Sequence, residues 1–239
     1  MWMSSARFPS TGMLPVRFPC SICGFSPTSW LFFVPQNGFL RIAFARILLS
    51  LPFADTYDLE QLELASGSWD IENGALVGRF RGNGGGICYT KRSFPGDILI
   101  DFYGTMLSPC NNDLNFVLKA EGWDYERNDA ARGFIGGLNG WYEKKAGFEK
   151  YPRCDAQALV PCDAVSGQEY HIQEGYCEDT RFLIVDGRLL LEMRDPNPEE
   201  FAGFGRIGLG TYCSQIRFRD LKLLRPSWRP LFQSYQANF

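Results

Sequence analysis

Apolar and polar residues alternate one for one along much of this chain. In "DILIDFYGTM", Ile98, Ile100, Phe102 and Met106 share one parity, while Asp97, Asp101, Tyr103 and Thr105 share the other. A period of two marks a strand with one face in a core. "DLNFVLKAEG" sets Leu114, Phe116 and Leu118 against Asn115, Lys119 and Glu121, and "YHIQEG" sets Tyr170 and Ile172 against His171 and Gln173. Two hairpins are visible as apolar runs meeting at Asn73-Gly74 and at Asp186-Gly187, dipeptides suited to type I′ turns. In "IRFRDLKLLRP" the apolar parity changes from Ile216/Phe218 to Leu221/Leu223. Such a change requires a bulge near Arg219-Asp220 if one face is to stay in the core. The segment 143–167 carries no comparable pattern and reads as a long irregular loop.

Turn signals every 8–12 residues, about ten strands and hardly any helical periodicity predict an all-β fold of two stacked antiparallel sheets, a jelly-roll sandwich. The expected organisation is a poorly ordered N-terminal extension over 1–54, one sandwich domain over 55–226 and a C-terminal tail over 227–239.

Composition sets off the first segment. Residues 1–54 hold Arg7, Arg17, Arg41 and Arg46, no Lys and no acid, and six of the 14 prolines. The remainder has 20 Lys+Arg against 27 Asp+Glu. With a net charge of −3 the chain lacks the electrostatic footprint of a nucleic-acid binder. "WLFFV" is too short for a secretory core, and "ILLSLPFA" is interrupted by Pro52 and far from Met1. Prolines 19, 27 and 35 break the longest uncharged stretch, so no membrane span is expected. A soluble cytoplasmic protein with reduced thiols is the expectation. "CSIC" (Cys20, Cys23) is a lone CxxC without a second pair, Cys154 and Cys162 are spaced to close a short loop, and Cys88, Cys177 and Cys213, in strand-like segments, fit as small apolar residues. His171 is the single histidine, so a Ser-His-Asp triad or a His-rich metal site cannot be completed in the ordinary way. "GNGGG" lacks the following helix and Lys-Ser/Thr of a phosphate loop. No cofactor and no metal are implied.

Four stretches, "GSWDIENGALVG", "SFPGDILIDFYGTM", "FLIVDGRLLLEMRDP" and "GRIGLGTYCSQIRFRDLKLLRP", together resemble the concanavalin A-like lectin/glucanase jelly rolls. The nearest likeness is to bacterial glycosidase-like members and to keto-disaccharide hydrolase domains. The motifs are those of a fold, and fold does not imply function. The resemblance implies a concave sheet with an oligosaccharide or glycan lying along it. The pleat then supplies candidates of outward parity: Asp101, Tyr103, Asn115, Lys119, Glu121, Asn139, Trp141, His171 and Gln173, with Trp123 at a strand end. Amides, acids and flat rings suit the hydroxyls and apolar CH faces of a pyranose.

For glycoside hydrolysis the expected pair is Asp101 and Glu121 on neighbouring strands, where their side chains could come within about 5–8 Å. Tyr103 and Trp141 are the expected sugar platform. Glucanases of this superfamily carry Glu-x-Asp-x-x-Glu or Glu-x-Asp-x-Glu on one strand, whereas "EGWDYE" is Glu-x-x-Asp-x-Glu, with Glu121 on the other parity from Asp124 and Glu126. That departure keeps two alternatives open: a non-catalytic carbohydrate-binding or accessory module, and a structural interaction sandwich.

Overall fold

The computed structural model describes residues 29–30, 40–80, 85–110, 112–140, 144–153 and 155–230. Nearly all of them lie in antiparallel strands or tight connections. In spatial order the first sheet runs β1 (Ser29–Trp30), β2 (Leu40–Leu51), β18 (Gln215–Pro230), β7 (Ile98–Met106), β14 (Glu169–Cys177), β15 (Thr180–Val185) and β16 (Arg188–Arg194). Beside the start of β18 the sheet also takes β5 (Leu76–Arg79), which carries β4 (Ser68–Ile71). The second sheet runs β13 (Asp155–Pro161), β12 (Lys145–Tyr151), β11 (Gly133–Gly140), β8 (Leu114–Ala120), β17 (Arg206–Tyr212), β6 (Gly85–Thr90) and β3 (Leu62–Ser66). A small hairpin, β9 (Trp123–Asp124) with β10 (Asp129–Ala130), stands apart from both.

The core lies between the sheets. Ile98, Ile100, Phe102, Ile172, Tyr176, Phe218 and Leu223 from the first sheet meet Leu114, Phe116, Leu118, Phe134, Leu138 and Leu209 from the second in one buried cluster. Two smaller clusters sit on the outward faces. Leu99, Cys177, Phe182, Ile184 and Leu224 form one on the first sheet, and Ile87, Tyr89, Val117 and Ala120 form the other on the second.

Both turn dipeptides behave as their chemistry requires, with positive φ at Asn73 and Gly74 (52° and 72°) and at Asp186 and Gly187 (49° and 75°). The parity change in β18 is met by a register shift between Arg219 and Lys222, with Asp220 at φ 55°.

Two expectations need correction. The sandwich starts before residue 55, because Leu40–Leu51 is a long strand paired along β18, and β18 itself continues past 226 to Pro230. The stretch 143–167 is not a plain loop, since it contains β12 and β13. In β12 the inward set is Ala146, Phe148 and Lys150, and a lysine among the inward positions hides the alternation. Lys150 is buried through its pairing with Asp195 at 3.2 Å and Glu200 at 2.7 Å. Cys20, Cys23 and Cys154 lie outside the described residues. Among those described, no helix is long and apolar enough to cross a membrane.

Candidate functional site

The pleat turns Asp101 and Tyr103 of β7 outward from the first sheet, directly opposite Gln173 and His171 of β14. These four side chains bond mainly to one another. Gln173 Nε2 donates to Asp101 Oδ2 at 2.7 Å, and His171 Nε2 lies 3.1 Å from Asp101 Oδ1. The His171 ring stacks on Tyr103 at 4.8 Å, and the Arg219 guanidinium covers the same phenol at 4.5 Å while pairing with Glu169 at 2.9 Å. Burial and the Asp101 charge raise the Tyr103 pKa. Both Asp101 oxygens are engaged inside this ladder.

The other sequence candidates lie elsewhere. Asn115 points outward from β8, but β8 belongs to the second sheet, so its outward face is on the opposite side of the molecule from Asp101. Glu121 follows β8 and makes a two-pronged ion pair with Arg132, at 2.9 and 3.0 Å. The expectation that Asp101 and Glu121 stand on neighbouring strands therefore fails: consecutive strands β7 and β8 cross between sheets. Lys119 has φ 46° at a bulge in β8, which turns its side chain inward, with the ammonium 4.6 Å from the centre of the Tyr176 ring. Burial lowers its pKa. Asn139 is buried, and both ends of its amide bond the backbone of Ala164, at 2.6 and 2.9 Å. Trp141 lies outside the described residues. Trp123 is half-buried against the second sheet's outward cluster of Ile87, Tyr89, Val117 and Ala120.

The second sheet's outward face has a floor that the parity argument missed. One row of cross-strand partners reads Ile87, Gly210, Asn115, Gly137, Gly147 and Leu159. Asn115 is thus the polar side chain of a row otherwise built at its centre from glycines. A Cβ placed on Gly210 would crowd Asn115 Cβ at 3.3 Å, so the glycine lets the Asn115 side chain sit close against β17. The neighbouring row is Tyr89, Gly208, Val117, Ile135 and Glu149.

On the far side of the glycine row is Asp113, held at φ 53° just before β8. Its Oδ1 occupies the place where Gly140 would carry a Cβ, 2.5 Å away. Gly140 pairs with Lys145, whose parity is that of Gly147 and Glu149, so the Asp113 carboxyl is on the outward face. Burial, with the Glu149 charge adding to it, pushes this carboxyl up to about 7. Nearby, Asn112 Nδ2 donates to the Tyr212 carbonyl at 3.3 Å and Tyr212 is exposed.

At the other end of the face the β9–β10 hairpin and the end of β12 enclose a cleft of about 560 Å³, with Glu121, Trp123, Arg132, Tyr151 and Arg153 among its walls. Arg132 holds the Glu121 pKa below the usual carboxylate range. Glu121 therefore remains an anion and a hydrogen-bond acceptor at neutral pH. Among the described residues no His/Cys/Asp/Glu cluster is arranged to hold a metal ion.

No protein-family model matches the sequence, and no curated protein matches it. Solved structures do. A Bacillus subtilis protein of unknown function with a galectin-like fold superposes with a TM-score of 0.61 at 11% identity, over 78% of this chain and 98% of that one. The carbohydrate binding module CBM66 from Bacillus subtilis gives 0.54 at 16% identity, over 69% and 96%. The apo Crh5 transglycosylase gives 0.52 at 12% identity, over 81% and 87%. Likeness at these identities is likeness of fold, and with the two antiparallel sheets described above it makes this chain an all-β jelly-roll sandwich.

Proposed function

We propose that the chain binds a saccharide laid across the second sheet, along the row Gly210–Asn115–Gly137–Gly147. The glycine row carries this reading. Removing Cβ atoms from the middle of a pleated face leaves a shallow channel in which a sugar ring can approach the backbone, and Asn115 offers it both a donor and an acceptor. Trp123 and Tyr212 supply flat surfaces towards the two ends, and the paired acids and arginines of the cleft supply polar walls. The fold neighbours support the reading, since they include a carbohydrate binding module and a transglycosylase. In this proposal Glu121 and Trp123 bind rather than react, and the Asp101–His171–Gln173 ladder has no part in recognition.

The test is a glycan-array screen followed by titration calorimetry on the strongest neutral oligosaccharide. Asn115→Ala and Gly210→Ala should each weaken binding at least about tenfold, equivalent to about 1.4 kcal/mol, the second with some fall in melting temperature because its Cβ crowds Asn115. Asp101→Ala, on the other side of the molecule, should bind as the parent does. Binding that survives both floor substitutions and fails with Asp101→Ala would move the site to the first sheet and overturn the proposal.

A further inference from the structure

We infer that Lys150, Asp195 and Glu200 form an amide cross-link site: the Lys150 amine condenses with the Asp195 side-chain carboxyl, and Glu200 carries the protons. The inference stands apart from the saccharide-binding reading. Lys150 lies on β12 of the second sheet, and Asp195 directly follows β16, the edge strand of the first. The bond therefore ties the two layers of the sandwich together through their side chains.

The reacting groups are already in contact. Lys150 Nζ donates to Asp195 Oδ1 at 3.2 Å, and the two side chains are 4% and 2% exposed. Both oxygens of the Asp195 carboxyl are also polarised by other donors, the Asn197 N–H to Oδ1 at 3.0 Å and the Tyr176 hydroxyl to Oδ2 at 2.9 Å. Such donors stabilise the negative charge that develops on oxygen when an amine adds to the carboxyl carbon. Glu200 Oε2 lies 2.7 Å from the same Nζ. Its contacts with Lys150 and Arg153 hold its pKa below the usual carboxylate range, so it is an anion placed to accept a proton. The surroundings favour the product. The Phe134 and Phe201 rings have their centres 5.2 and 5.0 Å from Nζ. Burying two ions there carries a desolvation cost that a neutral amide avoids, and the fixed contact replaces a bimolecular encounter.

The step balances within the three side chains. Glu200 takes one proton from the Lys150 ammonium. The freed lone pair on Nζ bonds to Asp195 Cγ while a C–O π pair moves onto oxygen. Glu200 delivers its proton to the departing carboxyl oxygen, and a second N–H proton follows by the same route. The C–O bond then breaks with its electrons on that oxygen, water leaves, and the carbonyl re-forms as an amide that keeps one N–H. Ammonium and carboxylate have become amide and water, and Glu200 is an anion again.

The experiment is intact-mass spectrometry of the folded full chain after prolonged incubation, followed by denaturation, trypsin digestion and sequencing of the peptides. Expected is a mass lower than that of the sequence by one water, with a branched peptide joining Lys150 to Asp195. Lys150→Arg should keep the full mass. Glu200→Gln should form the bond at least about a hundredfold more slowly, with circular dichroism showing the parent's strand content in both variants. A parent that keeps its full mass, or a water loss mapped to any other position, would overturn the inference. So would a Glu200→Gln chain that links as fast as the parent. The parent measurement needs no variant, so it decides the bond even where a variant fails to fold.

Discussion

Glu174 and Arg181 form an ion pair in the middle of the hydrophobic core, and replacing one or both of them tests how that core is held. Glu174 is inward on β14 between Ile172 and Tyr176, and Arg181 reaches it from β15, with Nε 2.6 Å from Oε1. Side-chain exposure is 1% for Arg181 and 0% for Glu174. The guanidinium lies 4.0 Å from the centre of the Phe148 ring, and the Glu174 Oε2 atom has no hydrogen-bond partner among the described residues. Breaking such a pair from one side typically costs about 3–5 kcal/mol, because the remaining charge is stranded, whereas replacing both partners with apolar residues of similar volume is often neutral or stabilising. Arg181→Met should therefore lower stability by about 3 kcal/mol or more near pH 8, a melting shift of at least about 6 °C for a domain of this size. Glu174→Leu with Arg181→Met should restore the parent value or exceed it.

The sign of the pH dependence follows from the burial. Burial pushes the Glu174 pKa up and Arg181 pulls it back, with burial prevailing. An acid whose pKa is raised in the folded state contributes stability that is full below its unfolded value and is lost as pH rises through its folded value. Without Arg181 the folded value climbs further, so the gap between parent and Arg181→Met should be small near pH 5 and widen towards pH 8. Urea unfolding at both pH values reads it directly. A single variant within about 1 kcal/mol of the parent at pH 8, or a double variant no more stable than the single, would refute the reasoning.

Lys119→Met removes a buried ammonium and keeps its stem against Tyr176; its melting temperature should equal or exceed the parent's, and a clear fall would show that the cation contributes net stability. Asp113 favours its protonated form when folded, with a carboxyl raised from 3.8 to about 7. Its contribution to stability should be full below about pH 4 and lost as pH rises to about 7, and Asp113→Asn should abolish that portion of the slope in urea titrations.

Local chemistry made much of the fold legible. Turn dipeptides with two positive φ values and a parity change that demands a bulge are constraints written in adjacent residues. What stayed hidden depends on distant partners. The inward lysine of β12 makes sense only beside Asp195 and Glu200, which lie 45 and 50 positions along the chain. The pairing of Leu40–Leu51 depends on β18 at the other end of the sequence. The site suffered most from this. Parity correctly turned Asp101, Asn115 and His171 outward but could not say from which sheet, and in a jelly roll consecutive strands cross between layers. A positive φ at Lys119 then reversed one side chain that the alternation had pointed out. Trp141 was the expected platform and falls outside the described residues.

The signal that was available concerned missing side chains, and Gly136 and Gly137 show how to read it. They are adjacent on β11, so the pleat sends their absent Cβ atoms to opposite faces. A Cβ on Gly136 would lie 2.4 Å from the Phe116 ring, 2.8 Å from Glu174 Oε1 and 3.1 Å from Arg181 Nη2, so this glycine makes room for the buried ion pair. Gly137 pairs with Asn115 and Gly147 on the outward floor. Gly136→Ala should then cost about 1–3 kcal/mol of stability through overpacking and leave saccharide affinity unchanged. Gly137→Ala should act on the other face, with affinity reduced at least about tenfold, or 1.4 kcal/mol. If both variants lose stability and neither changes binding, the glycines of the second sheet serve packing alone and the channel is not a site.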